Sequence, residues 1–269
     1  MIYIRYIKLI YAKYMFEFPK ELIPNIHKEG YFFVSAFVLA TIVLFMLSKP
    51  LGWIGFILTV YCISFFRDPN RVAPIGENLL VSPADGIVQK IDKAKLPKEI
   101  GVKDKEVTKV SIFLSIFNVH VNRIPITGRV KKLHYHHGKF FNASLNKASE
   151  HNERQSILIE TNSKEEICVV QIAGLIARRI VCDLKEDQNI KAGEKFGIIR
   201  FGSRVDLYLP NNIKVKVLEG QTMIGGETVI AEIEDEAKVT NTKKASTKAK
   251  TKSQVAKKTT VANKKEMSA

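Results

Sequence analysis

The sequence predicts a mainly β protein, a flattened barrel or sandwich, preceded by an N-terminal hydrophobic helical hairpin. Two features of the chain support this fold class. Almost every residue between positions 31 and 66 is apolar. After position 66 the chain changes to short alternating or β-branched runs separated by Gly, Pro and Asn, which is typical of β-strands joined by turns. Examples of these runs are VTKVSIFLS, GRVKKLHYH, EICVVQIAG and RVDLYLP.

The apolar segment 31–66 contains one charged residue, Lys49. It divides at Ser48-Lys49-Pro50 into two runs of 16 to 17 residues, near the lower limit of about 17 for a membrane-spanning helix. We therefore expect a membrane-associated hairpin over 31–66, either spanning or re-entrant. Basic residues flank both ends, which favours the cytoplasmic face of the cell membrane. Residues 1–30 form an N-terminal lead without a clear role.

The net charge of +15 is concentrated at the C-terminus. Residues 238–269 contain ten Lys and one acidic residue, Glu266, which gives +9 for this segment. A Lys/Thr/Ala/Ser mixture buries too little apolar surface to fold, so a disordered tail is expected over 238–269. The rest of the chain is only mildly basic, and we expect no nucleic-acid partner.

The remaining segment, 67–237, is expected to be one β-rich domain. Within it SPADGIVQKI and NIKAGEKFGII are similar to the two halves of a biotinyl/lipoyl-type barrel. A membrane-tethered carrier or adaptor of that type, without catalysis, is therefore an alternative function. Such a carrier needs an exposed Lys at a hairpin tip, usually beside Met, and no Met-Lys-Met turn is present. A serine hydrolase would need a Gly-x-Ser-x-Gly elbow, which is also missing.

The dipeptide Gly202-Ser203 lies between two predicted strands. Glycine permits unusual backbone angles and leaves its carbonyl open to attack by the following hydroxyl. Such a site can undergo an N→O acyl shift followed by β-elimination. A Gly-Ser pair alone is common in turns, so its chemical meaning depends on its context.

That context is a series of motifs. The chain contains FFRDP at 65–69, SPADG at 82–86, NVHVNR at 118–123, NER at 152–154 and FGS at 201–203. The series is completed by the motif LS at 114–115 and by GKF and NA within 138–143. With these motifs the segment from about Pro24 to Ile233 resembles the phosphatidylserine decarboxylase family, in its short bacterial and archaeal form.

The resemblance implies a self-processing enzyme. Cleavage between Gly202 and Ser203 would leave α and β chains held together as a heterodimer, and Ser203 would become a covalent pyruvoyl cofactor. The resemblance further implies that this cofactor forms a Schiff base with phosphatidylserine, which loses CO₂ to give phosphatidylethanolamine in membrane phospholipid synthesis. It leaves open whether heterodimers assemble into a higher oligomer.

The resemblance also assigns the remaining site residues. Asp85 and a histidine would polarise Ser203 for cleavage, and His120 occupies a position associated with decarboxylation. Arg123 stands where the longer form of the family has a second histidine, so which base drives cleavage stays open. Arg123 and Arg154 are candidates to contact the lipid phosphate, because guanidinium groups match phosphate geometry. No cluster of metal ligands is evident in the sequence, so no metal is expected.

Overall fold

The computed structural model describes residues 25–101, 106–144, 151–175, 179–200 and 202–233. The helices are α1 (Tyr31–Leu47) and α2 (Lys49–Phe65). The strands in the first half are β1 (Asn25–Ile26), β2 (Arg67–Asp68), β3 (Leu79–Val81), β4 (Gly86–Lys95), β5 (Glu106–Leu114), β6 (Val121–Arg123) and β7 (Gly128–His136). The strands in the second half are β8 (Arg154–Thr161), β9 (Glu166–Ala173), β10 (Ile180–Cys182), β11 (Asn189–Ile190), β12 (Lys195–Ile199), β13 (Ser203–Leu209), β14 (Ile213–Val215), β15 (Thr222–Met223) and β16 (Val229–Ile233).

The predicted mainly β fold with an N-terminal helical hairpin is confirmed. Residues 1–24 of the N-terminal lead and the Lys-rich tail at 238–269 lie outside the described residues. The two segments compared with biotinyl/lipoyl half-barrels are not strand neighbours, because β4 belongs to the largest sheet and β12 to a smaller one.

The largest sheet is antiparallel, with the strand order β11-β7-β8-β9-β13-β5-β4-β15. β13 lies in its middle, paired with β9 on one side and β5 on the other. Every residue of β13 is buried, so both faces of this strand are covered. Its register is fixed by hydrogen bonds to β5 along its whole length and to β9 from Ser203 to Tyr208.

A second sheet, β10-β12-β6, contacts β8 and β9 of the large sheet. The layer between the sheets holds the main apolar core, which includes Leu114, Ala173, Ile180, Ile199 and Val205. A third sheet, β14-β16-β3, and the β1-β2 pair complete the described strands. Ser203 and His120 lie where the first two sheets face each other.

The hairpin helices run side by side and leave most of their apolar side chains exposed. The chain reverses at Ser48, and Pro50 lies in the first turn of α2, where its missing N–H costs no hydrogen bond. The hydroxyls of Thr41 and Thr59 are hydrogen-bonded across the helix pair at 2.8 Å. By length and composition, Lys28–Leu47 is apolar enough to cross a membrane.

The base of the hairpin is part of the globular core. Phe65 and Phe66 are fully buried, and they pack with Val119, Val121 and Ile198 of the β10-β12-β6 side. Burial of a Phe side chain contributes about 1.5–3 kcal/mol, so this contact fixes the hairpin firmly to the domain. The helices and the site that follows are therefore joined by direct packing.

Candidate active site

Gly202 and Ser203 lie where the chain enters β13. Ser203 is fully buried, and its Cα is opposite Leu114 of β5 and Ala173 of β9. Gly202 has φ +66°, a left-handed conformation that side-chain-bearing residues rarely adopt. Among the described residues no group hydrogen-bonds the Ser203 hydroxyl. The buried Ser203 hydroxyl therefore belongs to the residue directly after Gly202, whose backbone has an unusual conformation.

The carbonyl oxygen of Gly202 lies against Gly174, the residue after β9. A methyl group at position 174 would stand only 2.3 Å from this oxygen. Real Cβ atoms do not approach a carbonyl so closely, so this packing requires glycine at position 174. The carbonyl that Ser203 would attack is thus confined by backbone on one side.

His120 contacts Gly202 through the N–H on the other side of this residue from the Gly202–Ser203 bond. The Gly202 N–H donates to His120 Nε2 at 3.3 Å, and His120 Nδ1 lies 3.0 Å from the Asn118 carbonyl oxygen. Because a carbonyl can only accept, Nδ1 carries the proton and Nε2 presents its lone pair to the site. The imidazole also stacks on Phe65, with ring centroids 4.3 Å apart.

His120 is neutral at physiological pH. Burial lowers the pKa of His120 to about 4, against the opposing effect of its hydrogen bond to Asn118. The positive charge of Arg67 lowers it further. A neutral imidazole can act as a base when its Nε2 lone pair exchanges the long hydrogen bond from the Gly202 N–H for a proton.

Asp85 lies in the turn before β4. Its Oδ1 accepts from the Gly225 N–H at 2.7 Å, and its Oδ2 accepts from Arg71 at 3.0 Å. Burial raises the pKa of Asp85, while the Gly225 and Arg71 contacts oppose that shift. Among the described residues, these two are its hydrogen-bond partners.

The strand order shows how the turn of Asp85 is placed relative to β13. β4 lies beside β5, and β5 lies beside β13. Asp85 directly precedes β4, and β5 lies between β4 and β13, so these two strands are about 10 Å apart. Asp85 can influence the site by fixing the neighbouring turn, and among the described residues it forms no hydrogen bond with Ser203 or His120.

Arg123, which replaces the second histidine of the longer family form, is buried. Its guanidinium donates to the backbone oxygens of Pro69 at 2.7 Å and Gly193 at 2.9 Å, and Asp68 lies 3.8 Å away. These contacts tie the segment after β2 to the domain. The geometry does not support a phosphate contact for Arg123, because its donors face protein groups.

The Arg154 side chain is also bound to another protein group. It forms a buried ion pair with Glu99, with Nε 2.6 Å from Oε1. In the register Arg154 is opposite Ile172, which is opposite Arg204, so Arg154 and Arg204 share one face of the sheet. Ser203 points to the other face, because neighbouring residues of a strand alternate. A contact of Arg154 with the lipid phosphate stays a prediction, and the ion pair with Glu99 argues against it.

A buried amide pair lies on the Ser203 side of the sheet. Gln171 Nε2 donates to Asn122 Oδ1 at 2.8 Å, and both side chains are fully buried. Asn122 is two residues from His120, and Gln171 is two residues from Ala173, the strand partner of Ser203. The pair therefore bridges the two sheets next to the His120–Gly202 contact.

Sequence reasoning missed Gly174, Asn122 and Gln171. Gln171 had a visible signal, since it is a polar residue inside the apolar run EICVVQIAG. Asn122 lies within a motif that was recognised, but its partner is 49 positions away. Gly174 had no signal, because its role depends on a contact with Gly202 that only the folded chain reveals.

Exposed apolar side chains surround Gly202 on the surface. We call Ile116, Phe117, Phe141 and Leu175 the apolar rim. Phe117 is 71% exposed and Leu175 is 66% exposed. Ile116 Cγ2 lies 3.9 Å from the position that a Cβ on Gly202 would take. Leu175 directly follows Gly174, so the rim borders the half-buried Gly202.

Two contacts attach the rim to its surroundings. Asn152 Nδ2 donates to the carbonyl oxygens of Phe141 at 2.8 Å and Ala173 at 2.7 Å. The ring of Phe117 packs edge-on against Tyr61 of α2, with centroids 6.2 Å apart. The rim is thereby continuous with the exposed apolar surface of the hairpin.

Basic side chains lie next to the apolar rim. Arg67 Nη2 donates to the Phe117 carbonyl oxygen at 2.8 Å, and Lys139 Nζ lies 5.9 Å from the centre of the Phe141 ring. Aromatic and basic residues together are the composition found at membrane–water interfaces.

Comparison with known proteins agrees with this site. The family model described as phosphatidylserine decarboxylase matches residues 58–231. Proteins named phosphatidylserine decarboxylase proenzyme from Rickettsia typhi, Rickettsia prowazekii and Rickettsia bellii are each 58% identical over 212 residues. Each alignment covers 79% of this chain and 92% of the relative. The family model and these relatives show that the chain belongs to the phosphatidylserine decarboxylase family.

Proposed function

We propose that this chain is a proenzyme that cleaves itself between Gly202 and Ser203 and then converts phosphatidylserine to phosphatidylethanolamine and CO₂. The observation that carries the proposal is the buried Ser203 hydroxyl, which directly follows a left-handed Gly202 whose carbonyl is confined by Gly174. The names of its relatives agree, since they are called proenzymes of this activity.

Self-cleavage uses groups of the chain and one water. Ser203 Oγ attacks the Gly202 carbonyl carbon, the peptide nitrogen leaves, and an ester forms between Gly202 and Ser203. A base then removes the Ser203 α-proton, and Gly202 departs as a carboxylate that keeps the serine oxygen. The resulting N-terminal dehydroalanine takes up water and releases ammonia, which leaves a pyruvoyl group at position 203.

The residues at the site fit the formation of this group. The Ser203 hydroxyl has no hydrogen-bond partner among the described residues that would restrain it, and its surroundings are dry. His120 Nε2 presents a lone pair beside Gly202 and can accept a proton during cleavage. Because Arg123 is held by backbone carbonyls, His120 is the base that the geometry favours.

The pyruvoyl group supplies a carbonyl that condenses with the lipid amine and accepts the electrons released with CO₂. The residues around it must then hold the headgroup, exclude water and return a proton to the carbon that lost CO₂. His120 is placed to deliver that proton once it carries one.

Cleavage itself can charge His120. It creates a carboxylate on Gly202, whose own nitrogen lies 3.3 Å from His120 Nε2. An opposite charge within about 4–6 Å favours the protonated imidazole and raises its pKa. His120 would thus act as a base in the precursor and as an acid in the mature enzyme.

The α and β chains should stay together after cleavage. The α chain begins with β13, which is paired on both sides with strands of the β chain. All seven residues of β13 are buried, so its release would expose the centre of the core. The two chains therefore form one heterodimeric folded unit.

The hairpin and the apolar rim suit a membrane location. Both expose apolar side chains, and the Tyr61–Phe117 contact joins them on one side of the domain. Arg67 and Lys139 lie at the rim, where they can attract anionic lipid headgroups. We place this side of the protein on the cytoplasmic face of the cell membrane, with Gly202 facing the headgroups.

Ser203→Ala tests the proposal, because alanine has neither the attacking oxygen nor the leaving group. Intact-mass analysis should find two chains with a pyruvoyl terminus in the wild type and one uncleaved chain in the variant, with no CO₂ release. Ser156→Ala is the control, since Ser156 is equally buried on β8 but bonds Glu99. Two-chain maturation of Ser203→Ala would refute the proposal. A single uncleaved wild-type chain would instead favour the carrier or adaptor alternative.

A further inference from the structure

The amide pair Asn122–Gln171 is more polar than its position in the core requires. Asn122 comes from β6 and Gln171 from β9, so the pair joins the two sheets through a layer that is otherwise largely apolar. Burying an amide group without its full set of hydrogen bonds is costly, because each unpaired donor or acceptor has lost its hydrogen bond to water. Two apolar side chains would fill the same space without that cost.

The pair retains unused hydrogen-bonding groups. Asn122 Nδ2 and Gln171 Oε1 are buried and have no hydrogen-bond partner among the described residues. If both amides were rotated by 180°, the unused groups would become Gln171 Nε2 and Asn122 Oδ1. In either orientation one NH₂ donor and one carbonyl acceptor are left over.

These unused groups lie close to Ser203. Gln171 is opposite Val205, two residues along the same face of β13 from Ser203. Such diagonal neighbours in antiparallel strands are about 7–8 Å apart, within reach of a glutamine side chain and a small ligand between them. Asn122 approaches from the other sheet beside His120. The donor and the acceptor therefore border the position where the lipid amine must react.

A serine headgroup matches this arrangement. It presents a carboxylate, which accepts hydrogen bonds, on the carbon next to an amine, which donates them. A neutral amide also suits a carboxylate that must leave as CO₂. A guanidinium would stabilise the bound carboxylate more than the transition state, in which its charge is dispersing, and would slow the reaction.

We propose that Asn122 and Gln171 form the subsite for the α-amino acid end of the substrate, with the amide NH₂ bound to its carboxylate and the amide carbonyl accepting from its amine. This proposal rests on the proposed function. The subsite would distinguish phosphatidylserine from phosphatidylethanolamine, which has the same amine but no carboxylate. After CO₂ leaves, the donor loses its ligand, which favours release of the product.

The test is the double variant Asn122→Val with Gln171→Leu, which replaces both amides by apolar groups of similar size. Replacing both partners of a buried hydrogen bond in this way can be nearly neutral for stability. Intact mass should show normal cleavage. Reductive trapping of the α chain with cyanoborohydride should fall less with phosphatidylethanolamine than with phosphatidylserine, because phosphatidylethanolamine loses only the contact to its amine. Labelling with phosphatidylserine and its decarboxylation should both fall about 10- to 100-fold, the range expected for losing a hydrogen bond to a charged group.

Gln155→Leu is the matched control. Gln155 is a buried glutamine opposite Gln171 on β8, and its amide donates to the Ser156 carbonyl oxygen. This variant should show wild-type trapping with both lipids and wild-type decarboxylation of phosphatidylserine. Gln171→Glu is a second variant, should the double variant not fold. A carboxylate there should weaken trapping with phosphatidylserine more than with phosphatidylethanolamine.

The outcomes separate the two proposals. Equal losses for both lipids, unchanged phosphatidylserine turnover or a failure to cleave in the folded double variant would each overturn the subsite assignment. If the double variant does not fold, equal effects of Gln171→Glu on both lipids would do so. A wild-type chain that neither cleaves nor releases CO₂ would overturn the proposed function itself.

Discussion

Gly174 and Gly202 are in contact through backbone alone, and a methyl group on Gly174 would stand 2.3 Å from the Gly202 carbonyl oxygen. Gly202 O is the atom that must take negative charge when Ser203 attacks. A side chain at position 174 would displace it, because backbone on both sides leaves no flexible group to move aside. The position of this carbonyl thus depends on the absence of a side chain one strand away.

We therefore expect Gly174→Ala to accumulate uncleaved precursor. Displacing a reacting group by about 1 Å can cost about 100-fold in rate. The measurement is the fraction of cleaved chain over time by gel electrophoresis and mass. Gly128→Ala is a matched control, since its methyl group would also stand 2.3 Å from a backbone oxygen, that of Glu160. If Gly128→Ala blocks cleavage equally, the effect of Gly174→Ala reflects general destabilisation.

Asp85→Ala should also slow cleavage, for an indirect reason. The change removes the acceptor for the Gly225 N–H and the partner of Arg71, and it loosens the turn that leads into β4. We expect cleavage at least about tenfold slower, the scale of one lost charged hydrogen bond. The measurement is the time course of two-chain formation.

Asp85→Asn separates positioning from charge. Its amide oxygen can still accept from Gly225, so a positioning role predicts that most of the cleavage rate is retained. Glu227→Ala is the control, because Glu227 contacts Arg71 from the other side at 3.7 Å. If Asp85→Asn slows cleavage as much as Asp85→Ala does, the negative charge itself is needed.

The sequence predicted the long strands well, because their alternating pattern reports which face is buried. VTKVSIFLS corresponds to β5 and RVDLYLP to β13, each within one or two residues. Some of the shortest strands, such as β10 (Ile180–Cys182), were missed, because so short a run has no periodicity. Their pairing depends on distant parts of the chain.

The candidate site was predicted in part. Gly202, Ser203 and His120 are brought together by the fold, as the motifs implied. Asp85 was expected to help a histidine polarise Ser203, and this role stays a prediction, because Asp85 precedes β4 and β5 separates β4 from β13. A motif preserves order along the chain but not distance in space, so this separation could not have been read from the sequence.

Phe117→Ser tests the membrane role of the apolar rim. Phe117 is 71% exposed beside Gly202, and losing this side chain removes apolar area that would enter the bilayer. We expect weaker flotation with vesicles of phosphatidylcholine and phosphatidylglycerol, by about two- to tenfold, with normal self-cleavage. Leu218→Ser is the control, since Leu218 is 73% exposed but follows β14, away from the rim. Equal losses for both variants would contradict a specific rim.

Truncating residues 1–66 is a poor test of the hairpin, because it removes Phe65 and Phe66 from the core. Serine substitutions at exposed hairpin positions avoid this problem. Trp53 and Ile57 are largely exposed on α2, and replacing them should reduce flotation without affecting folding. Membrane partition that is unchanged in this variant would show that the hairpin is not the main anchor.

The neutral His120 makes precursor stability depend on pH. The pKa of His120 is about 4 in the folded chain, against an ordinary value of 6.5. Its contribution to stability is fully present above pH 6.5 and is lost as the pH falls towards 4, because the unfolded chain binds the proton more tightly. The loss is about 2 kcal/mol by pH 5.

The measurement compares denaturant unfolding of Ser203→Ala at pH 7.5 and pH 5, alone and combined with His120→Asn. Only the chain that contains His120 should lose this additional stability between pH 7.5 and pH 5. His27, whose pKa burial also lowers, is present in both chains, and its effect therefore cancels. The same pH dependence in both chains would show that His120 is not buried in neutral form.

The last prediction concerns the change in His120 on maturation. Nuclear magnetic resonance of labelled histidine should find His120 titrating near pH 4 in the Ser203→Ala precursor and at least about one pH unit higher in the cleaved wild type, because cleavage places the Gly202 carboxylate beside the imidazole. Decarboxylation per cleaved molecule should then fall as the pH rises through the higher pKa. His120→Ala should lose about 10²–10⁴ in that rate, the usual value of a general acid. Identical titration in both forms would mean that the new carboxylate moves away from His120, and the proton would have to come from another group.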